Sequence, residues 1–199
     1  MVKVLYKNRE KFASLSTKIG MIFSRLGLTP NQWTMLSLVP AIASFYFLTQ
    51  SQLLLAAAAF AVAGFLDLVD GSVARVTGRV TKFGAYLDTV VDRYIEALIV
   101  LGLFFVSMPS FYLPANFWLL LYLFGGMMTT YVKAAAKEKE LVREELKGGA
   151  FERAERLGLL FLGIFFGAFD LNYLALLIIV LAIATNISAL QRILVARKS

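Results

Sequence analysis

Apolar and polar positions fall in long blocks along this chain, with none of the strict alternation of a half-buried strand. Apolar runs occupy roughly Gln32–Thr49, Leu53–Val73, Phe83–Val106, Ala115–Ala136, Phe151–Phe169 and Leu171–Leu194. Spanning a bilayer takes about 20 mostly apolar residues. The pattern therefore predicts an all-α, polytopic membrane protein with a bundle of six transmembrane helices over residues 32–194. The links near Gln50–Gln52 and Asp170 are tight, and Ser107–Pro114 carries two prolines and no charge. The first stretch is different. From Val4 to Leu26, the residues Phe12, Leu15, Ile19, Ile22 and Leu26 recur at helical spacing, while Lys7, Lys11, Lys18 and Arg25 interrupt them. This predicts an N-terminal amphipathic helix, within residues 1–28, lying in the membrane interface. Gly27 to Asn31 breaks it, with Thr29 placed to cap a helix that starts at Pro30.

Composition agrees with lipid as the solvent. Hydrophobic residues make up 59% of the 199, against about 45–50% in soluble domains. Six spans leave little chain for anything else, so the expectation is one membrane domain over 1–199. The formal charge of +7 fits the positive-inside rule and anionic lipid headgroups rather than nucleic acid. Every Lys and Arg outside the apolar runs falls in the N-terminus, the 75–83 loop, the 137–156 loop or the C-terminus; the opposite links carry only Asp170. Both termini and both long loops are thus expected in the cytoplasm of a multi-pass cell-membrane protein. The first thirty residues lack the clean apolar core of a cleavable signal. Between Lys137 and Lys147 the mixed charges read as a solvated helical face stopped by Gly148-Gly149. The chain contains no cysteine and no histidine, which excludes disulfides, zinc–thiolate sites and histidine-based triads.

What remains for chemistry is mainly carboxylate. Asp67 and Asp70, at i and i+3, end the second run; Asp88 and Asp92, at i and i+4, lie in the third. Each pair shares one helix face. The short connection makes the two helices antiparallel neighbours, so four carboxylates can converge. Acids within a membrane are costly, and four together repel one another; divalent cations relieve both problems. All-oxygen ligation suits Mg²⁺, Mn²⁺ or Ca²⁺, and four negative charges balance two dications. Two other readings stand beside this one: a helix–helix salt-bridge cluster involving Arg75 and Arg93, and an ion pathway through a small cation transporter. Asp67 lies eight residues before Arg75, about 12 Å along a helix, which puts the acids just inside the cytoplasmic interface.

The string Asp67-x2-Asp70-Gly71-x2-Ala74-Arg75-x8-Gly84-x3-Asp88-x3-Asp92 resembles the signature of the CDP-alcohol phosphotransferases, with all eight fixed positions in place. The six-span layout and the amphipathic first helix are similar to that family too. The resemblance implies a transferase that joins a CDP-linked lipid to an alcohol and releases CMP. It implies two Mg²⁺ ions, Mn²⁺ being possible, held by Asp67, Asp70, Asp88 and Asp92, with Asp92 also the base for the acceptor hydroxyl. It further implies close approach of the nucleotide at Gly71, phosphate contact from Arg75, and a cytidine pocket formed by Thr81 and the turn of Asn31, Gln32, Trp33 and Thr34.

A second group bears on the acceptor. Lys133 lies in the fourth run near Thr130, Arg153 and Arg156 open the fifth, and Arg192 closes the sixth, all toward the expected cytoplasmic side. Such residues can hold a phosphate; they can equally snorkel and anchor helix ends. Tyr131-x-Lys133-Ala134, Glu152-Arg153-x-Glu155-Arg156-Leu157 and Gln191-Arg192 resemble the prokaryotic phosphatidylinositol-phosphate and archaetidylinositol-phosphate synthases. That resemblance implies inositol phosphate as acceptor and CDP-diacylglycerol or CDP-archaeol as donor. Glycerol 3-phosphate is the alternative acceptor. Gly163-x3-Gly167 is a small-xxx-small pattern that fits either packing within one chain or the homodimer the family implies.

Overall fold

The computed structural model describes residues 14–142 and 152–198. The first ten positions of the predicted interfacial helix and the Gly148-Gly149 stop lie outside these. Among the described residues every regular element is a helix: α1 (14–24), α2 (Pro30–Leu36), α3 (Leu38–Thr49), α4 (Leu53–Val76), α5 (Lys82–Leu103), α6 (Ala115–Glu138), α7 (Arg153–Gly167) and α8 (Leu171–Lys198). Three of them, Leu53–Val76, Ala115–Glu138 and Leu171–Arg197, are long and apolar enough to cross a membrane.

The first predicted run is two helices, not one. Pro40 has no N–H to offer the Leu36 carbonyl, and its ring crowds that oxygen. The chain turns at Ser37, whose hydroxyl donates to the Thr34 carbonyl at 2.6 Å. Residues 137–142, the described part of the segment 137–147, also depart from expectation. Helix α6 stops at Glu138, and Glu140 takes a positive φ of 54°. Other ends follow local chemistry. Thr29 and Gln32 form a reciprocal capping box at α2. Ser51, at φ 54°, lets the Gln52 N–H reach back to the Phe47 carbonyl at 2.9 Å. The Asp170 carboxylate accepts from the Asn172 N–H at 2.9 Å and so caps α8.

The chain forms two compact units. The first comprises residues up to Ala43 together with Ala58–Ile95, and the second Ser44–Ala57 together with Glu96 onward. In the first unit, Trp33, Val69 and Val73 are buried, with Ile19, Phe23, Leu28 and Leu66 packed on them. The Phe23 and Trp33 rings meet edge to face at 5.4 Å. Helix α1 therefore buries one face, while Leu15, Met21 and Ile22 stay exposed. Contact between α1 and α4 is close enough to require Gly20: a Cβ there would stand 2.5 Å from the Ser72 carbonyl oxygen.

The second unit is built on α6, α7 and α8. Gly125 lets α6 approach α8, since a Cβ there would clash with the Thr185 hydroxyl. The Asn186 amide donates to the Leu121 and Ala182 carbonyls at 2.9 and 2.8 Å. Gly163 and Gly167 press against Leu177 and Leu174 of α8. This small-residue pair thus serves packing within the chain.

Candidate active site

Helices α4 and α5 of the first unit carry the acidic site. Carboxylate oxygens of Asp67, Asp88 and Asp92 lie within 4.8 Å of one another. Hard cations hold their oxygen ligands at about 2.0–2.6 Å, so three oxygens this close fit the shell of one ion with small side-chain adjustments. Asp92 is buried, Asp67 and Asp88 are half-buried, and Arg93 stands 3.4 Å from Asp92. Asp70 falls outside this group of three. It is buried and accepts a hydrogen bond from the Thr34 hydroxyl at 2.6 Å.

Asp70 and Asp88 also line a cleft of about 360 Å³, with Pro30, Asn31, Thr34, Gly71, Ala74, Arg75, Arg79, Val80, Thr81, Gly84 and Ala85. Asp88 is the residue shared by cleft and cluster. The wall has local causes. The Thr81 hydroxyl accepts the Gly84 N–H at 2.9 Å and caps the first turn of α5. A side chain at Gly84 would crowd this wall: a Cβ would stand 3.0 Å from the Thr81 hydroxyl and 3.1 Å from the Asn31 side-chain amide oxygen, so both would have to give way. Arg75 donates to the Ser16 hydroxyl at 2.7 Å and to Ser72 at 3.3 Å, so α1 holds one edge of its guanidinium.

Of the expected nucleotide residues, Asn31, Thr34, Gly71, Arg75 and Thr81 line this cleft. Gln32 and Trp33 do not. The Gln32 side chain is spent on the cap, accepting the Thr29 N–H at 2.8 Å, and Trp33 is buried in the core. Residue-type reasoning missed Arg79, although it follows Arg75 by one helical turn of sequence.

The expected acceptor residues all belong to the second unit. Thr130, Lys133, Arg153 and Arg192 are half-buried. Arg192 donates to the Thr129 carbonyl at 2.6 Å. Arg156 requires a correction. It is 1% exposed, donates to the Thr129 hydroxyl at 3.0 Å, and faces both Glu96 carboxylate oxygens at 3.4 Å. Enclosed in this way, its guanidinium has no surface to present to a phosphate. The two glutamates of the Glu152-Arg153-x-Glu155-Arg156 string serve the helix start: the Glu155 carboxylate accepts the Glu152 N–H at 2.9 Å.

Comparisons with known proteins identify the family. Residues 27–197 match the CDP-alcohol phosphatidyltransferase family. The archaetidylinositol phosphate synthase of Pyrococcus horikoshii is 34% identical, over 98% of this chain and 97% of that protein. The phosphatidylinositol phosphate synthase of Mycobacterium bovis is 30% identical, over 97% and 90%. Two crystal structures of the Mycobacterium tuberculosis phosphatidylinositol phosphate synthase superpose well. One, with CDP-DAG bound, gives a TM-score of 0.80 at 27% identity over 92% of this chain and 94% of the other. The second, with manganese and citrate, gives 0.82 at 28% identity over 92% and 90%. On sequence and on fold alike, the chain belongs to the CDP-alcohol phosphatidyltransferase family.

Proposed function

We propose that this chain transfers the phosphatidyl or archaetidyl group of a CDP-linked lipid to a hydroxyl of inositol phosphate, releasing CMP and forming a phosphoinositol-phosphate lipid. The observation that carries the reading is the convergence of Asp67, Asp88 and Asp92 beside a cleft that Asp88 shares with Gly71 and Arg75. Full-length relatives named for the inositol phosphate reaction support the choice of acceptor.

In this mechanism the acceptor oxygen attacks the lipid-side phosphorus. The bond from that phosphorus to the bridging oxygen breaks, and CMP leaves with the oxygen. Asn31, Thr34, Gly71, Arg75 and Thr81 bind the cytidine diphosphate. Asp92 steers the hydroxyl and takes its proton. An ordinary aspartate, with a pKa of about 3.9, is a weak base, so the transfer comes late, once the oxygen is bonding to phosphorus. Two divalent ions, Mg²⁺ with Mn²⁺ as a substitute, held by the four aspartates would neutralise the pyrophosphate and clamp the entering and leaving oxygens. Thr130, Lys133, Arg153 and Arg192 hold the phosphate of the acceptor.

The same proposal carries the membrane layout: six spans, an interfacial α1, and both termini in the cytoplasm, supported by the placement of Lys and Arg in the sequence. It carries a homodimer as well.

The test is CMP release by purified protein given CDP-diacylglycerol or CDP-archaeol, Mg²⁺ or Mn²⁺, and a panel of acceptors. Turnover with inositol phosphate is expected. Turnover with glycerol 3-phosphate alone would overturn the acceptor and leave the reaction class. Cation flux into liposomes without nucleotide, and no CMP release, would overturn the enzyme.

A further inference from the structure

Deep in the second unit, three helices send polar side chains to one point. Glu96 of α5 and Tyr122 of α6 are fully enclosed, and Thr129 of α6 and Arg156 of α7 are each 1% exposed. The Tyr122 hydroxyl donates to Glu96 at 3.1 Å, and Arg156 faces both oxygens of the same carboxylate. Room for the pair comes from Gly126, where a Cβ would stand 2.9 Å from a Glu96 oxygen.

A buried ion pair is a poor way to gain stability. Replacing one with apolar residues of similar volume is often neutral or stabilising, whereas deleting one partner is costly. Its presence therefore calls for a different role, and Thr129 shows one. The Thr129 hydroxyl accepts from Arg156 at 3.0 Å and donates to the Gly126 carbonyl at 2.7 Å. Its carbonyl accepts from Arg192 of α8 at 2.6 Å. Arginines from two different helices thus meet on the two oxygens of one residue. A guanidinium is a rigid planar fork, so anchoring one edge of Arg192 constrains where the rest of its donors point.

We propose that the Glu96–Arg156 pair is a positioning device which, through Thr129, orients Arg192 toward the phosphate of the acceptor. Arg156 itself touches no substrate. The proposal rests on the phosphorylated-acceptor reading given above. It explains why the Glu-Arg-x-Glu-Arg string carries two arginines with different fates, one half-buried and one enclosed. It also adds Glu96, Tyr122 and Thr129 to the residues that set acceptor affinity.

Thr129→Val keeps the side-chain shape but removes the hydroxyl that receives Arg156, while the carbonyl stays; Thr129→Ser restores the hydroxyl. Steady-state CMP release is measured with each, varying inositol phosphate and CDP-lipid separately, and with glycerol 3-phosphate in a parallel arm. Thr129→Val should raise the KM for the phosphorylated acceptor about tenfold, leave the KM for the CDP-lipid within about twofold, and be rescued by Thr129→Ser. Glu96→Gln should show the same split, and combining it with Arg192→Ala should add little to the defect of Arg192→Ala alone. An unchanged acceptor KM, or equal loss with both substrates, would overturn the positioning role while wild-type turnover left the acceptor reading standing. If the wild type used only glycerol 3-phosphate, that arm would still test the split. Wild-type inertness toward both phosphorylated acceptors would overturn both proposals.

Discussion

In the first unit, Asp67, Asp88 and Asp92 bring carboxylate oxygens within 4.8 Å of one another. In the second, Glu96 is sealed against Arg156 and Tyr122 with essentially no exposure. Both clusters put ionisable groups inside an apolar chain, where each costs free energy. They manage that cost in opposite ways. Like charges held together repel, which suits the first cluster to receive cations beside the Arg93 that already faces Asp92. Opposite charges held together satisfy each other, which makes the second a fixture. The lesson is that burial alone does not mark a catalytic group. The sign of the neighbours separates a cluster of like charges from a matched pair.

The largest effect should come from breaking the receptor. Asp92→Asn keeps the side-chain size and removes the base; CMP release should fall by about 10²–10⁴-fold with the melting temperature little changed. Loss of both activity and fold would mean that the acids were structural. The fixture should behave in the reverse sense. Glu96→Leu leaves the Arg156 charge buried without its carboxylate, at a cost of about 3–5 kcal/mol, read as a lowered unfolding temperature in detergent. The double variant Glu96→Leu/Arg156→Met should recover most of that loss, because no charge then remains inside.

Smaller effects sharpen the description of the cleft. Gly84→Ala pushes a methyl against Thr81 and Asn31 and should raise the KM for the CDP-lipid about tenfold, equivalent to about 1.4 kcal/mol. Ser16→Ala removes the hydroxyl that receives Arg75. The expected change is about threefold in the same KM, the size of one exposed hydrogen bond. An unchanged KM there would show that α1 does not steer Arg75.

Several of these features could be read from residues alone. The spacing of the four aspartates placed each pair on one helix face, and Thr29-Pro30 marked the start of α2, because both signals are local. Pro40 was a legible break as well, but the surrounding apolar run masked it. Other features depend on partners distant in sequence. Gln32 reads as a pocket residue until its amide is seen capping Thr29. Arg156 reads as a phosphate ligand until Glu96, sixty positions earlier, is seen beside it. A glutamate four residues past Asp92 in an apolar run was itself a signal, since a carboxylate there needs a partner. The Gly163-x3-Gly167 pattern could not say which surface it faced, because small residues serve close approach within a chain and between chains equally.

The contrast between receptor and fixture is tested most directly by Mn²⁺ binding to the purified protein, followed by electron paramagnetic resonance without any lipid substrate. Asp88→Asn should weaken Mn²⁺ binding severely, while Glu96→Gln should bind it as the wild type does. Wild-type Mn²⁺ affinity in Asp88→Asn, or its loss in Glu96→Gln, would contradict the account.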